Sequence, residues 1–458
     1  MQKYSKSCLV VPFPVFFFNF AVKKDNGQQT IVNRQRMKKI FLSAFILILC
    51  SCGSRRAGQY SYNGPIQISE NGKVELPTPV VKTPEVVAPA VWRDTIQTRL
   101  DSLCRLPLFE TTQLGLFVFD LTDNLPLYAF NATQRMRPAS IEKLITSISS
   151  LHYLGGEYNF QTDLRIKGTV ANGTLQGDVY VVGGMDPLLS VSDLNNMAAA
   201  LRKVGISRIA GNMYTDLSMK DDLPYGWGWC WDDDYGPLSA LMVNAKDNFN
   251  SDWNRALTRA GIKRSGSAIK QQQAPTDSKS VFCTTHTIDE ALEPILKSSH
   301  NIYAECLFYQ LAAHSGQKKA GRKQAVKLVC DLIEEIGLDS DQYQIADGSG
   351  LSLYNYVSPE LLVRFLNFAF SKQEIYSHLY PALPIAGVDG TLSTRMQDTP
   401  AYDNVHAKTG TVEGISTLAG YLTARNGHIL SFCIMNQGVN YGRMGRDFQD
   451  EVCNALCQ

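Results

Sequence analysis

The sequence has no excess of charge of either sign: 44 Lys and Arg stand against 43 Asp and Glu in 458 residues. That excludes an overall basic surface for nucleic acid. The balance is also uneven along the chain. Residues 1–51 carry eight basic residues and one acid, which leaves 36 basic against 42 acidic in a mildly acidic body. There is no paired CxxC motif, and the seven histidines are scattered, so no structural zinc site is expected. Apolar runs of bilayer-spanning length are missing as well. Val10–Val22 is broken by Pro12 and Pro14, and Ile40–Leu49 is too short to cross as a stable helix. A content of 44% hydrophobic and 19% charged residues excludes a disordered or collagen-like chain. The length predicts about two domains.

What is present begins with an address. From Met37 the chain reads MKKIFLSAFILILCSC, with Lys38 and Lys39 ahead of an apolar segment that ends in Leu49-Cys50-Ser51-Cys52. This is the pattern of a bacterial lipoprotein signal, and Cys52, behind the small Ser51, is the expected lipidation site. Residues 1–36 read as an upstream extension from a misassigned start codon, and 37–51 as the signal. The Pro- and Val-rich stretch 52–90 reads as a tether. The body is then expected outside the cytoplasm, in a periplasm, anchored by lipid to a bacterial membrane, the outer one being the expectation. Eight cysteines follow Cys52, and their spacing fixes no pairing.

Periodicity predicts a helix over 91–103, a hairpin of 114–121 with 126–131, and a helix from Pro138 to Gly155-Gly156. From 163 to 245 short strands and turns take over, with Asn172-Gly173 a strong hairpin signal. Helical texture is expected at 194–204, 253–260 and 287–314. A second hairpin turns at Asn426-Gly427, and a last helix covers 446–456. Strands at both ends with helices between them predict an α/β (α+β) fold with an antiparallel sheet flanked by helices. Residues 91–162 plus 246–458 form its main domain, and 163–245 a smaller β-rich insertion.

Three short motifs carry chemistry. In Ser140-Ile-Glu-Lys143, spacing along a helix puts serine and lysine on one face. A serine hydroxyl needs a base to become a nucleophile, and a lysine with a depressed pKa can serve. The helix N-terminus offers N–H groups to a developing oxyanion. Ser299-His300-Asn301 and Lys408-Thr409-Gly410 follow in order. Together they supply a second Ser/Lys pair to relay a proton, an amide to hold a carbonyl and a cation for a carboxylate. SxxK, SDN and KTG in this order are the signature of penicillin-binding proteins and class A β-lactamases, and here His300 replaces the middle residue of SDN.

With these motifs, GDVYVVGGMDPLL, PLSALMVN, DGSGLSLYNYVSP, LPIAGVDGTLSTRM and AKTGTVEGISTLAGYL, the chain resembles the class C low-molecular-mass penicillin-binding proteins from about Asp101 to its end. These are D-alanyl-D-alanine carboxypeptidases/endopeptidases with a penicillin-recognising serine transpeptidase-like domain. The resemblance implies that Ser140 is the acylated nucleophile and Lys143 its general base. Ser299 assists proton delivery, and Asn301 orients the substrate amide. Lys408 and Thr409 bind the terminal carboxylate, and the N–H groups of Ser140 and Thr411 form the oxyanion hole. No metal and no cofactor are implied. The partners implied are peptidoglycan stem peptides and β-lactams, and no nucleic acid. Asp347 and Asp389 belong to Gly/Asp-rich blocks that buttress the cleft.

Family members often carry two inserted modules. Here PLSALMVNAKDN runs directly into NSDWNRALTRAGI, read as the return to the catalytic domain with the second module missing. In GWGWCWDDD, Trp227, Trp229 and Trp231 either pack the insert or, as in the family, approach the stem-peptide side chain. The expected contacts are Trp229 and Asp232, with Asp233 and Asp234 as register alternatives. A β-lactamase and a non-catalytic wall-binding lipoprotein are the rival readings.

Overall fold

The computed structural model describes residues 67–68, 74–75 and 91–458 apart from 234, 235 and 267. The signal, Cys52, most of the tether and Asp234 lie outside the described residues. Within the expected tether, Gln67–Ile68 pairs antiparallel with Val74–Glu75. No helix among the described residues is long and apolar enough to cross a membrane.

The chain enters through α1 (Val91–Cys104) and lays down β1 (Gln113–Asp120) and β2 (Leu125–Phe130). It returns to the same sheet only at its end, with β10 (His406–Val412), β11 (Ile415–Thr423), β12 (Ile429–Gln437) and α10 (Gly442–Leu456). The sheet order is β10-β11-β12-β1-β2, and every pair is antiparallel. Both faces are covered, so β1 is apolar almost throughout and its alternation sorts residues between two cores. Leu116 and Val118 join Ile96 and Leu100 of α1 and Phe448 and Val452 of α10. Phe117 and Phe119 point the other way, into the larger core under the central helices.

That larger core is built by α2 (Glu142–Leu154), α5 (Ile288–Leu296), α6 (Asn301–His314), α7 (Arg322–Glu335), α8 (Pro359–Ser371) and α9 (Gln373–Leu379). The three helices α7, α8 and α9 were not anticipated. The helical stretch expected over 287–314 is two helices, broken before Asn301 by Ser299 at φ +61°.

Between α2 and α5 sits a seven-stranded sheet. It comprises β3 (Asn159–Ala171), β4 (Thr174–Val182), β5 (Arg208–Ile209), β6 (Met213–Asp216), β7 (Lys263–Arg264), β8 (Ile269–Gln271) and β9 (Lys279–Thr287). Asn172 and Gly173, at φ +49° and +74°, close β3 onto β4 as the sequence predicts for a tight hairpin. The pairs β4–β6 and β6–β8 are parallel. Helices α3 (Val191–Lys203) and α4 (Phe249–Arg259) cover this sheet, and Trp253 of α4 is fully buried in its core.

The expected boundaries of 163 and 245 therefore need correction. The second sheet runs from Asn159 to Thr287, and NSDWNRALTRAGI is part of its core. It is not the return to the catalytic domain. That return comes at Thr287, whose capping box with Glu290 starts α5. Residues 246–287 do not enlarge the main sheet, because the apolar face of α4 packs on α3 and joins the core of the second sheet.

All eight cysteines of the described residues are free thiols, five of them buried. Among the described residues, one acid and histidine cluster has metal-like spacing: Asp120, Asp123 and His428. Arg93 donates to both carboxylates at 2.6 Å, so a guanidinium already bridges the two acids and ties α1 to the end of β1.

Candidate active site

Ser140 lies on the 3-10 turn Ala139–Ile141 that opens α2, and is half-buried. The turn is held in a strained form, with Ala139 at φ +49°. Thr417 donates to the Pro138 carbonyl at 2.7 Å and pins it to β11. On β10, Gly410 passes so close that an added Cβ would lie 3.0 Å from the Ser140 nitrogen and 2.1 Å from the Thr417 hydroxyl. A glycine there is a steric requirement, and it sets the edge strand against Ser140.

In the first turn of α2, the Lys143 side chain is fully buried. Its Nζ makes three contacts: Ser140 Oγ at 2.9 Å, Asn301 Oδ1 at 2.6 Å and the Ser349 carbonyl at 2.7 Å. Burial pushes its pKa down to about 8, against the opposing pull of the Asp347, Glu305 and Glu142 carboxyls. In the neutral amine, the two acceptors Asn301 Oδ1 and Ser349 O take the two N–H bonds. The lone pair is left facing Ser140, the arrangement a general base needs.

The acids nearby are themselves buried. Burial and the Asp347 charge push Glu305 up to about 8, although it accepts the N–H groups of Gly348 and Ser349. Glu142 is fully buried with neither carboxyl oxygen hydrogen-bonded to the described residues, and burial drives its pKa well above the usual range. Both residues thus favour the neutral acid, which limits how far they can hold Lys143 in its charged form.

The second Ser/Lys pair lies across the cleft. Lys408 on β10 is fully buried and donates to Ser299 Oγ and to the Thr409 carbonyl, each at 2.8 Å. Burial, and next the Lys143 charge, lower its pKa well below the ordinary lysine value. The Thr409 hydroxyl meets that of Thr391 at 2.8 Å. Thr411 is exposed on β10, in register with Ser416. Residues far apart in sequence, on α2, at the start of α6 and on β10, are thus brought to one cleft.

The D-Ala-D-Ala carboxypeptidase 3 (S13) family matches residues 96–248 and 237–457 of this chain. The chain belongs to that family. The D-alanyl-D-alanine carboxypeptidase DacB of Haemophilus influenzae is 24% identical over 73% of this S13 chain and 87% of the relative. The D-alanyl-D-alanine carboxypeptidase of Actinomadura sp. is 27% identical over 74% of this chain and 80% of its own. The crystal structure of penicillin binding protein 4 (dacB) from Haemophilus influenzae superposes with a TM-score of 0.71 at 23% identity. It covers 78% of this chain and 98% of that one. The fold is accordingly the penicillin-recognising one, and the chain is a low-molecular-mass class C penicillin-binding protein with D-Ala-D-Ala carboxypeptidase activity.

In this S13 chain the aromatic segment of the insert reaches the same loop that supports Lys143. Trp229 is half-buried, and its indole N–H donates to Asp347 at 3.0 Å. Trp227 packs on Tyr354 at 4.9 Å and under Arg322, whereas Trp231 is 97% exposed. Asp232 is exposed, and Asp233 accepts the Cys230 N–H at 2.6 Å. Asp347 accepts the N–H groups of Gly350 and Ser352 at 2.8 and 2.7 Å, and Asp389 pairs with Lys297. Three parts of the site had no motif to mark them: the Ser349 carbonyl, the Thr391 hydroxyl and the neutral acids Glu142 and Glu305. DGSGLS and GVDGTL contained the first two, but as turn-forming blocks.

Proposed function

We propose that this protein removes the terminal D-alanine of peptidoglycan stem peptides, or cleaves the D-alanyl cross-link, through an acyl-enzyme on Ser140. The observation that carries this is the fully buried Lys143 amine 2.9 Å from Ser140 Oγ, with its other N–H bonds tied to Asn301 and Ser349. Neutral Lys143 takes the Ser140 proton as Oγ attacks the penultimate carbonyl. The tetrahedral oxyanion is received by the N–H groups of Ser140 and Thr411. Its collapse breaks the peptide bond, and the proton taken up by Lys143 passes to the leaving amine through the Ser299 hydroxyl, which Lys408 orients, so that Lys143 is neutral again. Water then hydrolyses the ester, with Lys143 again as the base. Asn301 also orients the substrate amide.

Lys408 and Thr409 take the terminal carboxylate, whose negative charge offsets the burial that depresses Lys408. β-Lactams acylate the same serine, and a β-lactam complex of the Haemophilus influenzae protein supports that reading. No step calls for a metal or cofactor. We further propose that Cys52 is lipidated and that the enzyme works in the periplasm, anchored to the outer membrane, as the segment from Met37 to Cys52 suggests. Incubation with purified wall fragments and mass spectrometry tests the activity. Loss of one alanine, or of a cross-link, is expected. Unaltered fragments, together with failure to label with a fluorescent penicillin, would leave a non-catalytic wall-binding protein.

A further inference from the structure

We propose that Trp229 is a positioning residue for the general base: its indole N–H, given to Asp347, holds in place the loop whose Ser349 carbonyl orients Lys143. The inference rests on the acyl-enzyme reading above. Asp347 is 1% exposed, and its desolvated carboxylate is satisfied by a ring of donors. Four come from the loop itself: the N–H groups of Gly350 and Ser352, the Asn355 amide at 2.7 Å and the Ser349 hydroxyl at 3.3 Å. The fifth, Trp229 Nε1, comes from the inserted segment.

The loop is pressed against the nucleophile's turn. Gly350 has φ +77°, and a Cβ there would lie 1.9 Å from the Ala139 carbonyl oxygen. The insert also touches this loop beside Trp229, since a Cβ on Gly228 would meet Ser352 Oγ at 2.4 Å. The path from Trp229 to the Lys143 amine is therefore Asp347, then the loop backbone at Ser349, then one hydrogen bond of 2.7 Å. A buried carboxylate that loses a donor must draw in water or rearrange, and the carbonyl two residues away moves with it. A substrate group that lodges against Trp229 is in this way felt at the base, which separates this role from that of a passive pocket wall.

The test is Trp229→Phe in the intact protein, with benzylpenicillin as the probe because it carries no diaminopimelate side chain for the insert to read. The second-order rate of Ser140 acylation should fall about tenfold, the scale of one hydrogen bond to a charged group. The melting temperature should fall by only a few degrees, and Trp229→Leu serves the same comparison if the phenylalanine variant does not fold. In a cycle with Asp347→Asn, the double variant should be no slower than Asp347→Asn alone. Acylation at the wild-type rate, with loss confined to peptide turnover, would make Trp229 a pocket wall and overturn the proposal. Additive losses in the cycle would do the same. Wild-type protein that penicillin fails to acylate would instead overturn the acyl-enzyme reading itself.

Discussion

The rate of acylation should climb with pH along the titration of Lys143. Burial puts this amine at about 8, and only its neutral form can take the Ser140 proton. The neutral fraction is then about 1% at pH 6, about 10% at pH 7 and about half at pH 8. Benzylpenicillin acylation followed by stopped flow should therefore rise about 50-fold from pH 6 to pH 8, then gain only about twofold more. The hydrogen bonds supply a second arm. Asn301 Oδ1 lies 2.6 Å from Nζ, so Asn301→Asp places a full negative charge against the amine. A partner at that distance raises a lysine pKa by roughly 1–3 units. The rising limb should move to pH 9 or above, and the rate at pH 8 should drop at least about fivefold. A rate independent of pH from 6 to 9, or a limb that stays put in Asn301→Asp, would refute Lys143 as the base.

Ser140→Ala should abolish covalent labelling by a fluorescent penicillin with an unchanged melting curve, and labelling at another serine would displace the assignment. Gly410→Ala forces a methyl to within 2.1 Å of the Thr417 hydroxyl. It should cost about 1–3 kcal/mol by denaturant titration and slow acylation, because the strand must move off Ser140. Asp232 is exposed, so Asp232→Ala should lower kcat/KM only a few-fold for a peptide with a free side-chain amine, as rim charges do, and spare benzylpenicillin. Equal loss on both substrates would make that segment structural. Cys52→Ala should release the protein from membranes in fractionation, and full membrane retention would remove the lipid anchor.

The parts of the site that were legible in sequence are those where a side-chain type is itself the chemistry. Ser140, Lys143, Ser299, Asn301 and Lys408 stand in motifs whose order alone points to one cleft. A backbone carbonyl has no such identity, so Ser349 was visible only as part of a turn. Glu142 carries no role in the motif that contains it, yet it is fully buried among the first residues of α2. In the fold, β1, the hairpin at Asn172-Gly173 and the closing sheet follow from alternation and turn chemistry. The end of the insert did not. Phe249, Trp253 and Leu257 give α4 an apolar face that would suit either core, and only the position of α3 decides which one it joins. The helices α7 to α9 went unmarked, although Ala325, Val329, Leu332 and Ile333 carry a helical period that could have been read.

Asp120 pairs with Leu430, so neighbours in the main sheet are separated by most of the polypeptide. Contacts of such long range are slow to form, because the loop they close must first lose its conformational freedom. The insert can fold earlier, since β3 and β4 meet across a two-residue turn. The cleft cannot, since Lys408 arrives on β10 and that strand reaches β1 only through β11 and β12. A nascent chain therefore carries Ser140 and Lys143 through most of its synthesis without the Lys408 that completes their cleft. Acyl transfer switches on with the last tenth of the molecule, so a chain cut short before β12 would be inert, and its unpaired β1 edge would be open to aggregation.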